Sequence, residues 1–94
     1  MVWGGMVMEL EAAFVYILLC ADKTLYTGWT NNLNRRLAAH QAGRGAKYTR
    51  ARLPVQLIYF ESCQSRQQAM QREWAIKHLT RAQKLQLIDG FSKE

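Results

Sequence analysis

A chain of 94 residues, 49% hydrophobic and 21% charged, is long enough for one small core and too short for two, and its balance excludes a disordered tail. Thirteen lysines and arginines against seven acids leave a formal charge of +6, which favours nucleic acid or another anionic surface as partner. Cys20 and Cys63, with neither CxxC spacing nor a histidine cluster beside them, argue against a disulfide framework or a zinc site, and the longest apolar run, FVYILLCA, is too short to span a bilayer.

Residues 1–13 show no useful periodicity, lack the basic region of a secretion signal and carry Met1, Met6 and Met8. They are expected to be loosely ordered, with the true start later than drawn and one cytoplasmic domain over residues 14–91. FVYILLC, residues 14–20, is a β-branched and aromatic run that reads as a strand. A polar break at residues 21–24 and a second strand, LYTGW, complete a hairpin. Gly28 inside that strand marks close approach of a ligand or another backbone. Asn31 or Asn32 can cap the helix that follows, where Leu33 and Leu37 repeat at i and i+4 until Gly43 stops it. GRGAKYTRARLP, residues 43–54, reads as a basic loop ending in the only proline, and VQLIYFES, residues 55–62, as a third strand. Ser65 with Gln68 and Thr80 with Gln83 are capping boxes in front of two further helices, the last of which Gly90 can end. The order β-β-α-β-α-α predicts an α+β fold, a small antiparallel or mixed three-stranded sheet flanked by three helices.

The positive charge is concentrated. Residues 23–60 contain no acid, yet hold Lys23, Arg35, Arg36, Arg44, Lys47, Arg50 and Arg52. A merely solvated face mixes both signs, whereas this segment repels itself without an anionic partner. Helix positions advance by about 100° per residue, so with Leu33 at zero, Arg36 falls at about 300° and His40 at about 340°, bordering the packed face, while Arg35 at about 200° points to solvent. His40 on such an edge is either a structural residue or a functional partner of Arg36. On the second helix, with Ala69 at zero, Ile76 falls at about 340° and Glu73 at about 40°, which puts a carboxylate in the apolar stripe. Pairing with Lys77 at i+4 offers only about 0.3–0.5 kcal/mol, and a divalent cation is an equally physical way to satisfy it.

Taken together, these residues resemble the GIY-YIG nuclease superfamily, and among its members the small standalone bacterial YhbQ-like (UPF0213) group, which shares the GAKYTR loop and the EWAIK stretch. The two family tripeptides appear as Val15-Tyr16-Ile17, with valine for the glycine and the other two in altered order, and Tyr26-Thr27-Gly28. The family arginine matches Arg36, the histidine one turn later His40, and the glutamate Glu73, so the likeness covers residues 14 to about 80. DNA-repair members often carry a lysine three residues after the second tyrosine, where this chain has Trp29.

The resemblance implies a three-stranded antiparallel sheet and metal-dependent hydrolysis of nucleic acid, with Glu73 binding one Mg²⁺ or Mn²⁺ and Arg36 gripping the scissile phosphate. Tyr26 ranks as general base, Tyr16 as its positioning partner and His40 as proton relay. Arg35, Arg44, Lys47, Tyr48, Arg50 and Arg52 are the candidate contacts to the rest of the nucleic acid, DNA ahead of RNA. With no appended recognition domain, weak sequence selectivity or delivery by a protein partner is expected. The competing readings are a basic binding module that keeps the fold without the chemistry and, behind it, a protein-interaction domain. The hairpin offers a check: pairing Cys20 with Leu25 sends the two tyrosines to opposite faces, and pairing Cys20 with Thr24 brings them to one.

Overall fold

The computed structural model describes residues 12–92. The chain forms β1 (Ala13–Leu19), β2 (Leu25–Thr30), α1 (Leu33–Gln41), α2 (Lys47–Arg50), β3 (Gln56–Cys63), α3 (Arg66–Lys77) and α4 (Arg81–Ser92). The sheet is antiparallel throughout, in the order β2-β1-β3. One element is added to the expected order: α2, a single helical turn inside the stretch read as a loop. Four residues carry no hydrophobic period, and the residue before them, Ala46, has no side-chain acceptor to announce a helix start. Of the segment expected to be loosely ordered, positions 1–11 lie outside the described residues; Ala13 already belongs to β1 and is fully buried. No helix among the described residues is long and apolar enough to cross a membrane.

The hairpin takes the register that brings the tyrosines together. Cys20 N donates to Thr24 O and Lys23 N to Cys20 O, both at 2.9 Å, and Lys23 closes the turn at φ 72°. A three-residue loop of this kind places its left-handed residue last. Tyr16 then stands opposite Gly28 and Leu18 opposite Tyr26, so both phenols leave the same face.

Each face of the sheet has its own core. On one, Ala13, Val15, Ile17 and Tyr59 pack under Ala69 and Ile76 of α3, with Leu87, Ile88 and Phe91 of α4 around them. On the other, Tyr16, Leu18, Cys20 and Val55 pack with Tyr26, Leu33, Leu37, Leu53 and Leu57. Tyr59 and Leu57 are two apart and would share a face in a regular strand. The pairing shifts between Ile17↔Tyr59 and Leu18↔Leu57, leaving Ile58 as the extra residue of a β-bulge that turns the two side chains to opposite cores.

Local signals position the helices. Asn32 Oδ1 accepts from Arg35 N at 3.0 Å to open α1, and beyond its end Gly43, at φ 80°, allows Arg44 N to reach Ala39 O at 2.8 Å. Ser65 Oγ accepts from Gln68 N, but the Gln68 side chain reaches one residue further back than expected, to Gln64 N at 2.7 Å. Thr80 and Gln83 cap reciprocally. Gly90 does not end α4, because Phe91 carries the packing past it, its ring 5.2 Å from that of Tyr59 and 5.3 Å from that of Phe60.

Thr27, buried in β2, is the one place among the described residues where a sealed side-chain polar atom has no partner: its Oγ1 makes no hydrogen bond. Leaving a buried hydroxyl unpaired costs about 1–3 kcal/mol. Thr27→Val is therefore expected to raise stability by about 1 kcal/mol, read as a higher urea midpoint at unchanged slope.

Candidate active site

The α1 face of the sheet carries a continuous chain of polar contacts. Tyr16 Oη lies 2.8 Å from His40 Nε2, and His40 Nδ1 lies 2.8 Å from Thr49 Oγ1, which in turn donates to Ala46 O at 3.2 Å. With the Thr49 hydroxyl proton assigned to that carbonyl, His40 donates from Nδ1 and Nε2 accepts the Tyr16 proton. Arg36 Nε donates to the same phenol at 3.4 Å, and Arg36 Nη2 donates to Gly45 O at 2.7 Å. His40 and Thr49 are fully buried and Tyr16 nearly so. A histidine on a helix edge has thus become a buried strut.

Two glycines make room for this chain. A Cβ at Gly28 would stand 2.6 Å from Tyr16 Oη and 3.2 Å from Tyr26 Cε2, so the absence of a side chain lets both phenols lie over β2. A Cβ at Gly45 would collide with the His40 ring and stand 2.8 Å from the His40 Cα. Neither Gly45 nor Thr49 was singled out in the sequence. Gly45 needs no left-handed backbone, and Thr49 stands among basic residues with no spacing that marks it as a partner.

Burial above all, against the pull of Arg36, raises the Tyr16 phenol above its ordinary value, and burial first and Arg36 second hold the His40 imidazole below its own. His40 therefore stays neutral in the fold. Unfolded histidine titrates near about 6.5, so below that pH the unfolded chain binds the extra proton first. Its contribution is present in full above about pH 6.5 and is lost as pH falls toward the lower folded value. The urea midpoint should fall on acidification from about pH 7 to about pH 5, and less steeply in His40→Gln.

Tyr26 differs from Tyr16. It is half-buried, meets His40 only through ring contact at 5.4 Å between centroids, and stacks on Tyr48 at 6.0 Å. The Arg36 guanidinium is stabilised by both phenols, Tyr16 first. Of the expected nucleic-acid contacts, Arg35, Arg44, Lys47 and Arg50 are exposed, and Tyr48 keeps 38% of its surface. Arg52 is otherwise engaged: its Nε pairs with Asp22 Oδ2 at 2.9 Å, Nη1 donates to Tyr48 O, and the guanidinium lies 3.8 Å from the Tyr48 ring centroid. Asp22 sits one residue before the acid-free stretch.

Glu73 comes from α3, packed on the other face of the sheet. Its side chain is 22% exposed and pairs with Lys77 Nζ at 3.3 Å. Its partner Lys77 lines a cavity together with Tyr26 and Tyr48. No three His, Cys, Asp or Glu side chains among the described residues form a metal-binding group. One accessible carboxylate is nonetheless a hard oxygen donor of the kind Mg²⁺ uses together with waters and substrate phosphate, rather than in an all-protein cage, so the residues present fit such an ion.

A model of the GIY-YIG catalytic domain matches residues 12–86, from the residue before β1 into α4. The chain is 60% identical over 79 residues to a UPF0213 protein of Clostridium perfringens, covering 84% of this chain and 85% of the relative. The solution NMR structure of a UPF0213 protein from Bacillus halodurans is similar at a TM-score of 0.55 and 44% identity over 83% of each chain. That of a protein from E. faecalis has a TM-score of 0.59 and 42% identity over 88% of each.

Proposed function

The chain belongs to the GIY-YIG family of nucleases, and from that premise we propose that it hydrolyses phosphodiester bonds of nucleic acid with one divalent cation. The observation that carries this reading is the convergence of Arg36, Tyr16 and His40, with Tyr26 in ring contact with His40 and the buried His40–Thr49 strut behind them. A phosphoryl-transfer site needs an activated water in line with the leaving oxygen and fixed charge around the phosphorus.

Tyr26, the less buried phenol, first gives its own proton to solvent and then, as the phenolate, takes the proton of the attacking water. The hydroxide attacks phosphorus as the bond to the leaving oxygen breaks. Arg36, bonded to Tyr16, supplies the fixed positive charge of the site. Tyr16 accepts from Arg36 Nε because its own proton is turned to His40, which aims the guanidinium and leaves Nη1 for a phosphate oxygen. On this reading His40 is a positioning residue acting through Tyr16. Glu73 would hold Mg²⁺ or Mn²⁺, which supplies charge neutralisation at the leaving oxygen.

DNA is proposed ahead of RNA, in the cytoplasm and in repair or processing, with weak sequence preference or delivery by a protein partner. Site-specific readers commonly use about 600–1,000 Å² of recognition surface even for one small module. The test is incubation with mixed DNA and RNA substrates under Mg²⁺, Mn²⁺ or chelator, with Glu73→Ala as control against a contaminating nuclease. Products that need the cation and disappear in the variant support the enzyme. One observation favours a second reading: Glu73 already has a partner in Lys77. Salt-sensitive binding that never yields products under any cation would select a non-catalytic binding module.

A further inference from the structure

Beyond the proposed reacting centre, a cavity of about 240 Å³ is lined by Leu25, Tyr26, Thr27, Tyr48, Lys77 and Lys84. It shares Tyr26 with the site and lies where the end of α3 and the second turn of α4 bring two lysines to one hollow. No carboxylate is among its walls. Lys77 is half-exposed and lends its charge to Glu73, whereas Lys84 is partly buried and pairs with no acid among the described residues. Two cationic residues line one cavity with no carboxylate in its walls, so the hollow suits an anion. The stacked Tyr26–Tyr48 pair and Leu25 give it an apolar wall for a sugar or base.

We propose that Lys77 and Lys84 hold the backbone phosphate of the nucleotide adjoining the scissile one, with its sugar or base against Tyr26 and Tyr48. This deepens the nuclease reading and rests on its claim that the chain binds nucleic acid, but it requires no turnover. It adds to the expected basic contacts a pair of lysines outside the acid-free segment, delivered by the two C-terminal helices. A strand crossing Tyr26 would thus be held on both sides of that ring, by Arg36 and by the lysine pair.

The test is equilibrium binding of a fluorescent single strand of about 12 nucleotides to the full chain, with chelator present so that nothing is cut. Each phosphate contact adds about 0.7 to the slope of log affinity against log salt for single strands. Lys84→Gln should lose one such increment, so that between about 50 and about 200 mM salt its affinity falls about threefold less than the parent's, and Lys84→Arg should restore it. The Lys77 and Thr27 amide signals should move on adding the strand and stay still with inorganic phosphate alone. An unchanged slope in Lys84→Gln alongside a reduced one in Arg36→Gln overturns the lysine site and leaves nucleic-acid binding standing. Equal shifts with inorganic phosphate overturn the assignment to a backbone. A parent that shows no salt-dependent binding overturns both this site and the function it rests on.

Discussion

Adding one methyl group at Gly45 is expected to destabilise the fold by the upper end of the about 1–3 kcal/mol that overpacking costs, and to remove cleavage with it. The new Cβ would stand 2.8 Å from the His40 Cα, a backbone atom on α1 that cannot swing aside, and would press on a ring held at both nitrogens. The only relief is to move the segment from Gly43 to Thr49 away from α1. That motion breaks the bond from Arg36 Nη2 to Gly45 O and the bond between His40 and Thr49. Gly28→Ala makes the informative contrast. Its Cβ meets the end of the Tyr16 side chain and the edge of Tyr26, so phenols must shift rather than backbone. Urea titration of both variants, paired with a cleavage assay, should show Gly45→Ala losing midpoint and activity together and Gly28→Ala losing activity with the smaller shift in midpoint. A Gly45→Ala protein as stable as the parent would mean that the α1–α2 junction is looser than its contacts imply.

These two glycines also mark where reading the chain alone stops. Gly28 was legible because a glycine interrupting LYTGW has no other use in a strand, and the hairpin register followed from asking which pairing puts Tyr16 and Tyr26 together. Asn32, Ser65 and Thr80 were legible because caps act within three or four residues, and local chemistry is written locally. Gly90 carries the same signal as a helix stop, but Tyr59 and Phe60, some thirty residues earlier in the chain, hold Phe91 in the helix beyond it. Gly45 and Thr49 act only by touching His40, and nothing in GRGAKYTR says which neighbour will arrive there. Arg52 stands among the expected nucleic-acid contacts because its partner, Asp22, sits in the hairpin turn thirty residues earlier in the chain. The bulge at Ile58 is likewise invisible in VQLIYFES, since it answers a demand for two cores on opposite faces of one strand.

Removing the Arg36 guanidinium is expected to cost about 10²–10³ in kcat, the range found when one fixed donor to developing charge is deleted, with a much smaller change in KM. The size of the effect follows from how the group is held. Arg36 Nε is tied to Tyr16 and Nη2 to Gly45, so the fork is oriented before substrate arrives. Arg36→Ala removes charge and aim together. Arg36→Lys keeps a charge but not the fork: one ammonium cannot reach Tyr16, the Gly45 carbonyl and a phosphate in fixed directions at once, so it should recover little of the loss. Arg35→Ala is the matched control. Arg35 is the adjacent residue on α1 but exposed, so its loss should weaken binding modestly, more so at low salt, and leave kcat near the parent's. Glu73→Gln should lower activity as severely as Arg36→Ala, and its dependence on cation concentration should change where that of Arg36→Ala does not. If Arg36→Lys cleaves as the parent does, orientation by Tyr16 and His40 is irrelevant, and the buried strut is only a piece of the core. If Arg35→Ala is the variant that fails, the working face of α1 has been assigned to the wrong side of the helix.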